Sequence, residues 1–364
     1  MAKKNLLTQC LHSSFPADFY KNSAQRLGLL FASSAFLVLG LPTIIDLPES
    51  KLLAQSVVSQ DLDAAILYQL GVTRYHRQDF KSAESAFRQA LQRDINIGSA
   101  RHYLGNILMK QNRLELAVQE YGEAIKLNPN FGEAYYNLGL ALQKQGQKEA
   151  AISAYRQALV VSPTMAAAHY NLGIVLYEQE QREEAIAAYQ QAINLDGSNA
   201  NAYFNLAIAL QQEGQVENAI AAYRQTLTLN PENTLAYNNL GSLFVIQNQP
   251  LEAIAIYQKA IRQNPKNALA YYNLGVTLYN QGDLKTANQA FKRARQEYSE
   301  QGNTEKTAKI DEITQKITEH LTPKKPQTPT PTPKNDVILP APEEIMPVNS
   351  NDMPNTVEQQ PKTP

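Results

Sequence analysis

The sequence predicts an all-α solenoid, and three observations carry that prediction. One pattern recurs from Ala64 to Gln301 at a fixed 34-residue period, giving units 64–97, 98–131, 132–165, 166–199, 200–233, 234–267 and 268–301 without insertion or deletion. Each unit contains two stretches whose apolar residues fall at helical spacing. A glycine or its equivalent separates the stretches, and a proline usually closes the second. A fixed period of this length means that each unit buries its apolar face on its neighbours.

Unit 132–165 shows the elements in order. Counting from Gly132, apolar or small residues stand at positions 3, 4, 7, 8, 10 and 11 (Ala134, Tyr135, Leu138, Gly139, Ala141, Leu142). At about 100° per residue they share one side of a helix. Gly146 is placed to end it in a left-handed conformation. A second helix carries Ala151, Tyr155 and Ala158, and Pro163 closes it by removing a donor. Gly139 and Ala151 let the two helices approach, so Gly139→Leu is expected to overpack the contact. Departures are few: Ala207 replaces the glycine, Thr226 the second alanine, and Gly197 the proline, while Pro250 sits in the first turn of a second helix, where proline is tolerated.

These residues resemble the tetratricopeptide repeat family, through the aromatic at 4, Leu at 7, Gly or Ala at 8, Ala at 20, aromatic at 24, Ala at 27 and Pro at 32. The first two units are degenerate, with Arg74 at 11, Ile95 at 32 and Arg101 at 4. The resemblance covers about two thirds of the chain. It implies antiparallel helix pairs stacked into a right-handed superhelix of seven units, with first helices lining the concave side.

An asparagine at position 6 recurs as Asn137, Asn171, Asn205, Asn239 and Asn273, although Asn is an indifferent helix former. Units 1 and 2 carry Gln69 and Tyr103 instead. On a helical wheel position 6 falls away from the side formed by 4, 7, 8 and 11. Two readings follow. One is an exposed ladder on the groove floor, similar to that in the repeat region of O-GlcNAc transferase, gripping the backbone of an extended peptide through its amides. The other is inherited family sequence, or a side-chain bond between adjacent first helices. The ladder predicts that replacing all five with Ala leaves melting nearly unchanged and weakens peptide capture. Position 5 supplies Tyr136, Tyr170, Phe204 and Tyr272 as further candidate groove residues, the alternative being rings that pad adjacent helices. The family's clamp for acidic C-terminal peptides needs Lys at 5 with Asn four residues on, and no unit has that pair.

The net charge of −1 carries no basic stripe, which argues against nucleic acid as a partner. The five histidines show no metal-ligand spacing, and no nucleophile elbow, P-loop or dinucleotide fingerprint occurs. The expectation is a chain that is not an enzyme and has no cofactor or metal.

Outside the array, residues 1–26 form an N-terminal segment and Leu27–Ile45 an uncharged run of 19 residues. As a helix that run would cover about 28 Å, near the thickness of a bilayer's hydrocarbon core. Lys3, Lys4, Lys21 and Arg26 precede it, which orients the amino end to the cytoplasm and the array outside it. A retained anchor fits best, giving a membrane-anchored bacterial type of repeat protein with an extracytoplasmic array. A cleaved signal with secretion, and a buried soluble helix, are the alternatives. Residues 46–63 are a linker. Residues 302–321 break the period but keep Ile310, Ile313, Ile317 and Leu321 on one face, as a capping helix would. The proline-rich stretch 322–364 lacks aromatics and is expected to stay unfolded with polyproline II bias.

The function expected is a non-catalytic scaffold holding extended segments of client proteins in its groove, with assembly of a membrane complex as one setting. The alternatives are a self-associating structural repeat protein and a helper subunit of a separately encoded enzyme such as a glycosyltransferase.

Overall fold

The computed structural model describes residues 59–321. Leu27–Ile45 and the tail 322–364 lie outside them. Among the described residues there are fifteen α-helices and no strand. In chain order they are α1 (Leu62–His76), α2 (Phe80–Arg93), α3 (Gly98–Lys110), α4 (Leu114–Leu127), α5 (Gly132–Lys144), α6 (Lys148–Val161), α7 (Ala166–Glu178), α8 (Arg182–Leu195), α9 (Ala200–Gln212), α10 (Val216–Leu229), α11 (Thr234–Ile246), α12 (Pro250–Gln263), α13 (Ala268–Asn280), α14 (Leu284–Glu300) and α15 (Thr304–Leu321). Odd-numbered helices up to α13 are the first helices of the seven units, and even-numbered ones are their mates.

The turn inside every unit is built the same way. Position 15 is left-handed throughout, with φ of +74°, +70° and +83° at Gly146, Gly214 and Gly282. Gln78, Asn112, Glu180 and Asn248 hold the same conformation with side chains that disfavour it. Between units, Asn199, Asn233 and Asn267 cap the next first helix by accepting from the backbone N–H three residues on.

The helix pair closes on a ring seated over a glycine. A methyl group added at Gly139 would lie 2.6 Å from the Tyr155 ring, and one at Gly241 would lie 2.4 Å from Tyr257. Gly71, Gly105, Gly173 and Gly275 face Phe87, Tyr121, Tyr189 and Phe291 in the same manner. Those rings are buried, as are the alanines at 20 in every unit. Burying each ring contributes roughly 1.5–3 kcal/mol.

Each helix packs on the next along the chain, and first helices also touch first helices across units, in the pairs α3–α5, α5–α7, α7–α9 and α11–α13. The first helices therefore form the inner wall. The last unit is covered by α15 through Ile310, Ile313 and Ile317, with the Arg295 guanidinium paired to Asp311 across α14 and α15. Leu321, expected on the buried side, is about half exposed, because it ends the helix beyond the covered unit. At the opposite end of the described residues, Leu62, Ile66 and Leu70 of α1 are 43–73% exposed.

Candidate functional site

The inner wall differs from the sequence expectation in one decisive respect. The amides at position 6 do not form an open floor. Asn171, Asn205, Asn239 and Asn273 are 7% exposed or less, and Asn137 is half-buried. Asn171 donates through Nδ2 to the Tyr136 hydroxyl at 2.9 Å, and Asn205 donates to the Tyr170 hydroxyl at 3.2 Å. In both cases the acceptor is the position-5 tyrosine of the preceding unit. Asn137 Nδ2 finds His102, the residue at position 5 of unit 2, at 2.9 Å and Asn106 Oδ1 at 3.0 Å. Asn239 cannot repeat the bond, because Phe204 has no hydroxyl; it turns instead to the Tyr223 hydroxyl at 3.1 Å. Asn137, Asn171, Asn205 and Asn239 thus tie neighbouring units together.

The position-5 rings are corrected with them. Tyr170, Phe204 and Tyr272 are 5% exposed or less and pack on the position-24 rings of their own units. Centroid separations are 6.1 Å for Tyr170–Tyr189, 5.9 Å for Phe204–Tyr223 and 5.8 Å for Tyr272–Phe291. Tyr136 sits 6.0 Å from Tyr155 and keeps more exposure. These rings continue the seam between paired helices, which is the padding alternative. Lys306 and Lys309 of α15 lie 5.9 and 5.7 Å over the Tyr272 ring, closing that end of the wall with two cations.

Position 9 is apolar in most units and joins the core. It stands at about 180° on the wheel, opposite the seam side. Its residues run Val72, Asn106, Leu140, Ile174, Ile208, Ser242, Val276. From unit 4 onward all are buried, with Ile174, Ile208 and Val276 5% exposed or less. First helices α7, α9 and α13 are therefore apolar on both sides, which an ordinary one-faced amphipathic helix is not. The signal was legible as a missing polar face in "NLGIVLYE" and "NLAIALQQ". Flanking this row, Tyr177, Val245 and Tyr279 at position 12 stay half-buried.

At the first end the wall is aromatic. Tyr103 replaces the asparagine and stacks on Phe87, with centroids 5.2 Å apart and planes 8° from parallel. His102 is buried against Phe131 at 4.7 Å, and burial pushes its imidazole down to about 4. Burial likewise raises the Tyr170 phenol above its usual range, opposed by the hydrogen bond from Asn205. No group of His, Cys, Asp or Glu among the described residues is placed to hold a metal ion.

Paired helices, a glycine under each ring and a wall made of first helices together define a tetratricopeptide-type solenoid. Residues 97–311 match the family model of the cilia and flagella-associated protein 70 C-terminal domain, a tetratricopeptide repeat family, and the chain belongs to that family. Among solved structures, the C-terminal part of a TPR repeat-containing protein from Cytophaga hutchinsonii is similar at 16% identity, covering 70% of this chain and 99% of that one with a TM-score of 0.56. YrrB, described as a TPR protein with an unusual peptide-binding site, is similar at 25% identity, covering 51% of this chain and 95% of its own, TM-score 0.48. MamA is similar at 26% identity, covering 44% of this chain and 95% of its own, TM-score 0.43. No curated protein matches at a significant level. No helix among the described residues is long and apolar enough to cross a membrane.

Proposed function

We propose that this protein is a non-catalytic scaffold that holds an extended, apolar segment of a client protein along the inner wall of units 3–7. The observation that carries this reading is the set of apolar side chains on the first helices that stay half-buried, Tyr136, Leu140, Tyr177, Val245 and Tyr279. Affinity then comes chiefly from apolar side chains laid against those half-buried residues, at about 25 cal/mol per Å² removed from water. The amide ladder is not retained as the grip, since four of its amides donate between units and the fifth, Asn273, is fully buried. A tether through Leu27–Ile45, with the array outside the cytoplasm, rests on the charge and length of that run alone.

Site-specific photo-crosslinking tests the wall. A crosslinking residue at 140, 177 or 279, which are half-buried on first helices, should capture an added apolar peptide. The same residue at 153, 187 or 221, which are exposed on second helices, should not. Equal capture from both sets would refute the reading.

A second reading draws on the exposed stripe Leu62, Ile66 and Leu70, which suits end-to-end self-association. Sedimentation velocity of the full chain and of Ile66→Glu tests it: a concentration-dependent shift abolished by the substitution supports self-association, and a single monomeric boundary at all concentrations opposes it.

A further inference from the structure

We infer that the turn of unit 6 is a docking surface for a second copy of this chain, which presents to it the turns of units 1–3. The inference does not depend on the groove reading, since it uses none of the half-buried residues that carry it. It also differs in surface from the α1 stripe. Three observations lead to it.

The first is how the turns join along one edge of the array. Positions 13–18 hold the last residue of the first helix, the turn and the first two residues of the second helix. Lys148 pairs with Glu178 at 3.1 Å, and Arg182 donates to Gln212 at 3.0 Å, so position 17 meets position 13 of the next unit. Gln179 and Gln247 donate to Glu149 and Glu217 at 2.7 and 3.1 Å, so position 14 meets position 18 of the unit before. This is a polar, solvated edge.

The second is its interruption. Unit 6 reads "IQNQPL" over these positions and holds no charge, whereas the other six units each hold charged side chains there. Leu251 takes the place of the Glu that units 2–5 carry, and it is 74% exposed. Ile246 is 54% exposed at a position that is polar or charged in every other unit. Their exposure contributes nothing to the packing of unit 6, and covering them with an apolar partner is favourable.

The third is charge, and it selects the partner. Positions 13–18 carry six Lys or Arg against three Asp or Glu in units 1–3, a net +3. Units 4 and 5, which adjoin the apolar turn, carry one Arg against five Glu, a net −4. A second copy that offers its own units 4–6 meets like charge, which opposes contact; one that offers units 1–3 meets opposite charge, which steers and fixes the register. Leu116 of unit 2, 40% exposed, gives that basic edge an apolar point of its own. Three turns of six residues approach the roughly 20–30 residues a side of a standard interface, so the association is weak and concentration-dependent.

The test is sedimentation velocity of the full chain over a range of concentrations, with Leu251→Asp, Ile66→Glu and two charge-reversed chains. The first reversed chain carries Lys81→Glu and Lys144→Glu, and the second carries Glu183→Lys, Glu213→Lys and Glu217→Lys, all at exposed positions; circular dichroism checks that each folds. The unsubstituted chain should self-associate, Leu251→Asp should weaken this at least about tenfold, and Ile66→Glu should leave it unchanged. Each reversed chain by itself should associate at least about tenfold more weakly, because both its edges then carry one sign. Mixed in equal amounts the two should associate, since one keeps the native acidic edge with unit 6 and the other the native basic edge. Leu251→Asp in the first reversed chain should weaken that mixture as well. Three results overturn the inference. They are a single monomeric boundary at every concentration, association kept in Leu251→Asp but lost in Ile66→Glu (the α1 stripe is then the interface), and a mixture that stays monomeric.

Discussion

Asn205 offers the sharpest test of what the recurring amide does. It is 5% exposed, and its Nδ2 lies 3.2 Å from the Tyr170 hydroxyl of the preceding unit. Asn205→Ala removes the donor and leaves the buried Tyr170 oxygen without it. A net hydrogen bond contributes about 0.5–1.5 kcal/mol, and stranding a buried acceptor costs roughly 1–3 kcal/mol. A loss of ~1–2 kcal/mol is therefore expected, felt mainly in units 4 and 5, because each unit couples only to its neighbours. The assay is a double-mutant cycle of Asn205→Ala with Tyr170→Phe, read by urea unfolding and by hydrogen exchange of α7 and α9. Tyr170→Phe alone removes the acceptor, so the two losses should overlap and give a coupling energy of about 1 kcal/mol. Asn201→Ala, at an exposed position of the same helix, is the control and should stay within about 0.5 kcal/mol. If Asn205→Ala matches Asn201→Ala and the coupling is zero, the amide is not a tie between units. The expectation from sequence, that all five Asn→Ala changes leave melting nearly untouched, is reversed.

Three further outcomes are expected. Gly241→Ala places a methyl 2.4 Å from the Tyr257 ring and should cost ~1–3 kcal/mol in urea unfolding; a neutral result would mean that the ring shifts freely. Glu180→Gly relieves a left-handed non-glycine residue and should stabilise by about 0.5–1 kcal/mol, the relief of ~1–2 kcal/mol being partly offset by glycine's entropy; a lowered midpoint would contradict this. His102 has a folded pKa of about 4 against 6.5 unfolded, so the unfolded chain binds the extra proton. Stability should fall as pH drops from 6.5 towards 4, by up to ~3 kcal/mol from this group, and the fall should be smaller by that amount in His102→Gln. An identical pH profile in both chains would reject that cause.

The sequence by itself determined the period, the helix pairs, the left-handed turn at position 15 and the ring-over-glycine seam. All are local: they depend on one helix meeting the next along the chain, and a wheel drawn for a single helix captures that. The destination of Asn171, Asn205 and Tyr170 was not local. A first helix has a pair-mate on one side and other first helices before and after it, and positions 5 and 6 lie on those two flanks, about 100° apart. A wheel centred on the seam reads both flanks as open. Only the stacking of units decided that the flanks meet, so that a tyrosine hydroxyl of one unit lies against the amide of the next. Once they meet, Asn stops being a peptide grip and becomes a satisfied buried polar group. The same stacking buried position 9, whose apolar side chains were plain in the sequence but had no assigned partner there.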